Sequence, residues 1–313
     1  MRDGERPGSP APTRASWAAI ASCHSAASST PRGRTAFAET ARAQAADLLA
    51  RCWPEDGRYV DRPGARPTVR AFCDAVEIAD LLLDGAPPQL PAAEHVARLR
   101  ALQDAASGLV PEYGQAQPSA GPAAPGAVEA LFGWLHTHVD AWTGMWGSPT
   151  PDSGRLQMVN GYYRLTRGSF AQFGLPVPYA ERVIDTVLDH ARDRRFFAPG
   201  RENACNVLDV VHPLWLCGRQ TDHRGEETRA WAATQLAAAL TRWRPGQGFG
   251  FGPTPDGSGP GRDPGLQGTE MWFAIVWLLA DLLGLADLLG YRPRGIHRPG
   301  TALTGPAGDP NQP

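Results

Sequence analysis

One pattern recurs along this chain and limits what it can fold into. An apolar helix runs into a short turn holding glycine beside an aromatic or apolar residue, and a second apolar helix follows. The first instance predicts helices over Ala36–Cys52 and Thr68–Leu83, joined through Trp53, Gly57 and Tyr59. The second predicts His95–Gln103 and Ala127–Trp142, with a turn at Ser107–Tyr113. The third predicts Tyr179–His190 and Asn203–Cys217 around Arg194–Phe197, and the fourth Glu226–Trp243 and Gly268–Leu283 around Gly246–Phe251. The turns fall near residues 57, 108, 196 and 248. The wide central gap leaves room for one more unit, around Arg155–Phe173, whose helical pattern is less clear. A repeat of this size implies stacked units that cannot bury their apolar faces alone. Closing the series into a ring removes the ends that an open solenoid must cap.

Side-chain spacing supports the helices. Phe72, Val76, Ala79 and Leu83 recur at steps of three and four, and so do Trp272, Ile275, Leu279 and Leu282. The segment from Gln267 to Leu283 is apolar almost all round, as an inner helix buried on most sides should be. No sustained apolar/polar alternation predicts a sheet. The expected fold is therefore all-α: an α/α toroid of about five or six helical hairpins over residues 36–290. Residues 1–35 read as a disordered leader and residues 291–313 as a C-terminal strap that frays into a tail.

Composition removes several functions. All 30 basic residues are arginine, so a pyridoxal Schiff base, a lysine nucleophile and a Walker-type phosphate loop are excluded. A net charge of −2 gives no reason to expect nucleic acid or an anionic membrane as partner. The five cysteines include no CxxC pair, which argues against a disulfide framework or a cysteine-rich zinc site and fits reduced thiols in a cytoplasm. The first 34 residues lack the apolar stretch of a signal peptide, and no segment reaches the roughly 18 apolar residues of a membrane span.

The turns Gln103–Leu109 and Gly246–Phe251 resemble the Gln/Trp-type repeats of terpenoid cyclases and protein prenyltransferases. The likeness spans most of residues 36–290 and is one of fold. Six-hairpin glycosidases are similar in the same way, and Gly265–Trp272 resembles an uncharacterised bacterial family of this fold. The chain departs from the catalytic patterns of these groups. It has no Asp-x-Asp-Asp proton donor, and Cys73 and Asp74 are adjacent where a prenyltransferase zinc site needs Asp-x-Cys. The resemblance thus implies a toroid and no particular reaction.

In a toroid, inner-helix N-termini converge on one mouth with unpaired N–H groups and positive dipole ends. The polar residues there are the candidates. Asp74 and Glu77 lie three apart on one helical face, suited either to acid/base work or to helix-start electrostatics. Cys205, Asp209 and His212 share a face, with Asn203 and Asn206 alongside, and Pro213 leaves open whether the helix kinks or begins near His212. Gln267, Thr269 and Glu270 open the last inner helix after a long Gly/Pro loop, Arg244–Gly265, that suits a rim or lid. Asn160, Tyr163, Arg167 and Gln172 offer hydrogen-bonding groups beside aromatics. His136, His138 and Asp140 form a weaker group on the second inner helix. Of the tryptophans, Trp134, Trp142, Trp146, Trp215, Trp272 and Trp277 fall on or near inner helices, mostly as core.

The sequence points to a cytoplasmic enzyme working on a small organic substrate by carboxylate chemistry, with no cofactor and no metal assigned. Asp74, Asp209 and Glu270 are the expected catalytic residues. Glu77, Asn160, Tyr163, Arg167, Gln172, Asn206, His212 and Trp272 are the expected substrate contacts. A glycoside hydrolase or lyase is slightly favoured over terpenoid-cyclase or prenyltransferase-like chemistry. A non-catalytic toroid that binds a ligand or protein is the third reading.

Overall fold

The computed structural model describes residues 31–105, 107–115, 124–252 and 263–300. They form helices α1 (Pro31–Arg51), α2 (Val69–Leu83), α3 (Ala92–Leu102), α4 (Ala127–His138), α5 (Leu156–Gly168) and the single turn α6 (Phe170–Phe173). Then come α7 (Ala180–Ala191), the single turn α8 (Arg194–Phe197), α9 (Ala204–Gly218), α10 (Gly225–Leu240), α11 (Leu266–Leu282) and a 3-10 turn (Ala286–Leu289). Among the described residues, isolated β-bridges such as Val60–Pro67 take the place of strands. No described helix is long and apolar enough to cross a membrane.

Two helices organise the rest. In α11 every residue from Gly268 to Ala280 is buried, and in α9 every residue from Asn206 to Cys217 is. Helix α9 packs on α11, α5 and α7, while α11 also packs on α2 and α10, and α1 covers α2. The order α2–α11–α9–α5 is thus a continuous inner series, backed by α1, α10 and α7. An all-round apolar α11 requires neighbours on every side, which is why its sequence pattern was readable.

Helix starts follow local chemistry. Thr68 Oγ1 accepts from the Ala71 N–H at 3.0 Å and begins α2. Asn203 Oδ1 accepts from the Asn206 N–H at 2.8 Å and begins α9, so this helix runs unbroken through Pro213 and does not start at His212. The start of α11 is capped from a distance. Asp61, in the loop after α1, accepts the Gln267 N–H through its carboxylate and the Leu266 N–H through its carbonyl. Thr269 instead accepts from the Phe249 N–H and donates to the Gly265 carbonyl, pinning the glycine-rich loop to α11. Gly268 permits this approach, since a Cβ there would lie 2.6 Å from the Phe249 carbonyl oxygen. The middle of that loop, 253–262, lies outside the described residues, as do 1–30 and 301–313 of the two termini. Helix α1 begins at Pro31, a few residues before the expected boundary.

The second expected hairpin does not supply an inner helix. His95 is the buried residue of α3 and Leu135 that of α4. The inner place falls to α5, the segment with the less clear pattern, whose buried face carries Asn160, Tyr162, Tyr163 and Thr166 among its apolar residues. Polar and aromatic residues blur an apolar period even when all are buried. Trp134 and Trp142 correspondingly stand exposed, whereas Trp215, Trp272 and Trp277 are core.

Candidate active site

The inner series brings polar side chains from α2, α5, α9 and α11 to one place. On α2, Arg70 donates from Nε to Asp74 Oδ1 at 2.6 Å and from Nη2 to Glu270 Oε2 of α11 at 3.5 Å. One turn beyond Asp74 on α2, the Glu77 carboxylate comes within 4.8 Å of Glu270 and His297. The His297 ring lies with Nδ1 3.1 Å from Glu270 Oε1 and Nε2 2.7 Å from the Tyr163 hydroxyl of α5. Arg167 donates to the same hydroxyl at 3.2 Å and stacks on the Tyr163 ring. An ionised Glu270 can only accept, so Nδ1 of His297 donates to it.

His297 reaches the cluster on the C-terminal strap. Gly290 ends the 3-10 turn, and the buried Tyr291 then donates to the Phe273 carbonyl at 3.1 Å. Arg294 bonds Asp84 at 2.6 Å and Asp80 at 3.3 Å, both on the α2 side. Gly295 lies against the Glu77 carboxylate, and the Ile296 carbonyl accepts from Gln172 Nε2 at 3.3 Å. The strap therefore spans from α2 to α6 across the cluster. Two clefts of the described surface lie elsewhere: one of about 190 Å³ beside Trp215, Arg219, Asp222 and His223, another of about 280 Å³ beside Trp53, Arg98 and Tyr113.

Across Tyr163 from Glu270 sits a second group on α9. The His212 ring meets the Tyr163 ring edge-on, with centroids 5.2 Å apart. Asp209 is fully buried, and its Oδ2 accepts from the Asn160 amide at 2.8 Å in the orientation that also satisfies the Leu156 carbonyl. Asp209 Oδ1, His212 Nδ1 and Asp74 Oδ2 are buried without a protein partner.

These surroundings set the charges. Burial pushes Asp209 up to about 8 against the pull of Arg164 and Arg167. Burial likewise lifts Asp74 to about 7 despite Arg70, with Glu270 adding to the rise. Glu77 is raised by burial and by Glu270. Burial pushes Glu270 upward too, but His297 and Arg70 outweigh it and hold Glu270 below the usual carboxylate range. Burial, His297 and Arg167 drive His212 down to about 3, so it is neutral.

Of the residues expected from sequence, Asp74, Glu77, Glu270, Tyr163 and Arg167 fall in the central cluster. Asp209, His212 and Asn160 form its α9 flank, and Gln172 holds the strap. Asn206 is buried in the first turn of α9. Trp272 is not among the residues brought together in the cluster: it is fully buried in the core, its Nε1 donates to the Gly250 carbonyl at 3.0 Å, and Arg242 covers its ring. Its place on an almost wholly apolar helix signals packing. His136, His138 and Asp140 also lie apart from the cluster. His138 stacks on the exposed Trp134, and Asp140 accepts from the Trp142 and Thr143 N–H groups in an exposed turn.

Two residues escaped sequence reasoning. Arg70 was legible, since it stands one turn before Asp74. His297 was not, because it follows Gly295 and Ile296 in a stretch of arginine, proline and glycine with no helical frame. Among the described residues, Glu77, Glu270 and His297 also form a three-residue set with metal-ligand spacing, which Cys205, Asp209 and His212 do not. Comparisons of the chain with protein-family models, with curated proteins and with solved structures find no match.

Proposed function

We propose that the inner helices curl into an α/α annulus and that the chain is an enzyme acting on a small organic substrate at its centre. One observation carries this reading. Carboxylates from separate helix pairs, the buried Asp74 and half-buried Glu77 on α2 and the buried Glu270 on α11, meet in one cluster with the exposed Arg70 and the buried Tyr163. A non-catalytic toroid has no need to bury like charges together, and doing so is costly unless the site uses them.

The roles follow from the environments. Asp74, with its pKa near 7, is the group able to give or take a proton near neutrality. Glu270 stays anionic and stabilises positive charge that develops beside it. Tyr163, Arg167 and Asp209 orient a polar substrate between α5 and α9. The polar α5–α9 flank favours a glycoside or uronate over a prenyl chain. A terpenoid-cyclase-like reaction is the second reading, supported by the aromatic neighbours Tyr163, His212 and Trp215.

The test is incubation of the full chain with a panel of aryl glycosides, uronate oligosaccharides and prenyl diphosphates, followed by mass spectrometry. Turnover lost in Asp74→Asn and Glu270→Gln, with the fold retained, supports the reading. Turnover equal to wild type in both variants removes these residues from the chemistry.

A further inference from the structure

We infer that Glu77, Glu270 and His297 bind one first-row divalent cation, with the C-terminal strap supplying the nitrogen ligand. The inference rests on reading the central cluster as a reaction site and names what completes it. The three side chains come from α2, α11 and the strap, yet each offers a ligand atom within 4.8 Å of the other two. The oxygen, oxygen and imidazole donors suit Zn²⁺ or Mn²⁺ better than Mg²⁺ or Ca²⁺, which prefer oxygen alone. Three protein ligands leave coordination positions open for water or substrate.

The surroundings are those of a ligand set. A metal-bound histidine is normally fixed through its second nitrogen. With the cation on Nδ1, the remaining ring proton sits on Nε2, where the Tyr163 oxygen at 2.7 Å accepts it. That oxygen has two lone pairs, so it still accepts from Arg167 at 3.2 Å. An independent sign comes from Asp74, one turn from Glu77 on α2. Asp74 is 4% exposed, and its Oδ2 has no protein partner although its Oδ1 bonds Arg70. A water on the cation would give Oδ2 its missing donor. The cation would also offset the charge of the two facing glutamates, for which Arg70 reaches only Glu270, at 3.5 Å.

The test loads the full chain separately with Zn²⁺, Mn²⁺ and Mg²⁺, removes the excess and measures bound metal by mass spectrometry. The expected result is about one Zn²⁺ or Mn²⁺ per chain, with affinity lowered at least about 100-fold in Glu270→Gln and His297→Ala and about 10-fold in Tyr163→Phe. His297 lies outside every helix, so its variant should retain the wild-type circular dichroism even if the Glu270 variant unfolds. Co²⁺ loading gives a second readout, a visible absorption band that His297→Ala alters. The inference is overturned if wild type retains no Zn²⁺ or Mn²⁺, if His297→Ala retains as much as wild type, or if Mg²⁺ alone binds. The two readings also separate. Bound metal with no turnover of any panel substrate sinks the acid/base reading and leaves the site. Turnover by a chain that binds no metal does the reverse.

Discussion

Gly295 stands so close to Glu77 that a Cβ added to it would lie 2.4 Å from both Cδ and Oε2 of the glutamate. Only a residue without a side chain lets the strap pass here while the carboxylate stays in place. Gly295→Ala must displace Glu77 or lift the strap. The expected cost is about 1–3 kcal/mol, read as a lower thermal midpoint, with faster proteolytic cleavage after Gly290. An unchanged cleavage rate would mean that Glu77 yields freely and does not hold the strap.

Asp209 links stability to pH. Its pKa rises from 3.8 to about 8 on folding. The folded state therefore binds more protons than the unfolded chain between those values, and stability falls as pH climbs through that window. Asp209→Asn removes the titration and keeps the polar shape. At pH 8–9 it should be more stable than wild type, on the order of 2 kcal/mol, and its stability should vary less between pH 5 and 8. Denaturant midpoints across pH decide this, and a variant less stable than wild type at pH 9 would contradict it.

The Arg242–Glu202 pair shows what burial does to an ion pair. The two side chains are each 10% exposed and 2.7 Å apart, and Gln235 donates to the other Glu202 oxygen at 3.0 Å. Arg242→Ala strands the carboxylate and uncovers the Trp272 ring, so a loss of about 3–5 kcal/mol is expected. Arg192→Ala breaks pairs with Glu227 and Asp189 in which every partner is at least 41% exposed, and should cost less than about 1 kcal/mol. Chemical denaturation of the two variants tests the contrast.

Thiol chemistry maps the same burial. Cys217 and Cys52 are pushed up to about 12, in both cases chiefly by desolvation. Cys73 is an exposed residue, yet burial of its thiol, Asp74 and Glu77 also raise its pKa. Iodoacetamide at pH 7 should modify Cys73 more slowly than a free thiol and leave Cys52 and Cys217 untouched until denaturant is added. Rapid labelling of Cys217 in the native chain would contradict the packing of α9.

The helices were legible where one physical signal dominated. Helices α2 and α11 announced themselves through apolar spacing and α9 through its apolar run, while Pro213 left the start of α9 open until the Asn203 cap was seen. Helix α4 misled because apolar residues such as Val128, Leu131 and Trp134 mark a helix without saying that its face is covered, and here they stand exposed. Helix α5 was obscured by its own buried Asn160, Tyr163 and Thr166. Asp74, Glu77 and Glu270 stood out because carboxylates on apolar helices must be reconciled with burial. Nothing local marks His297, whose role depends on a strap crossing the molecule.

That crossing imposes an order on assembly. Arg70, Asp74 and Glu77 are synthesised long before His297, and Glu270 comes late as well. While the chain is being made, α2 must hold its acidic side chains with neither partner in place. The strap joins only after every inner helix has emerged. The central cluster is therefore a late product of folding, and a nascent or C-terminally clipped chain would carry the scaffold without His297.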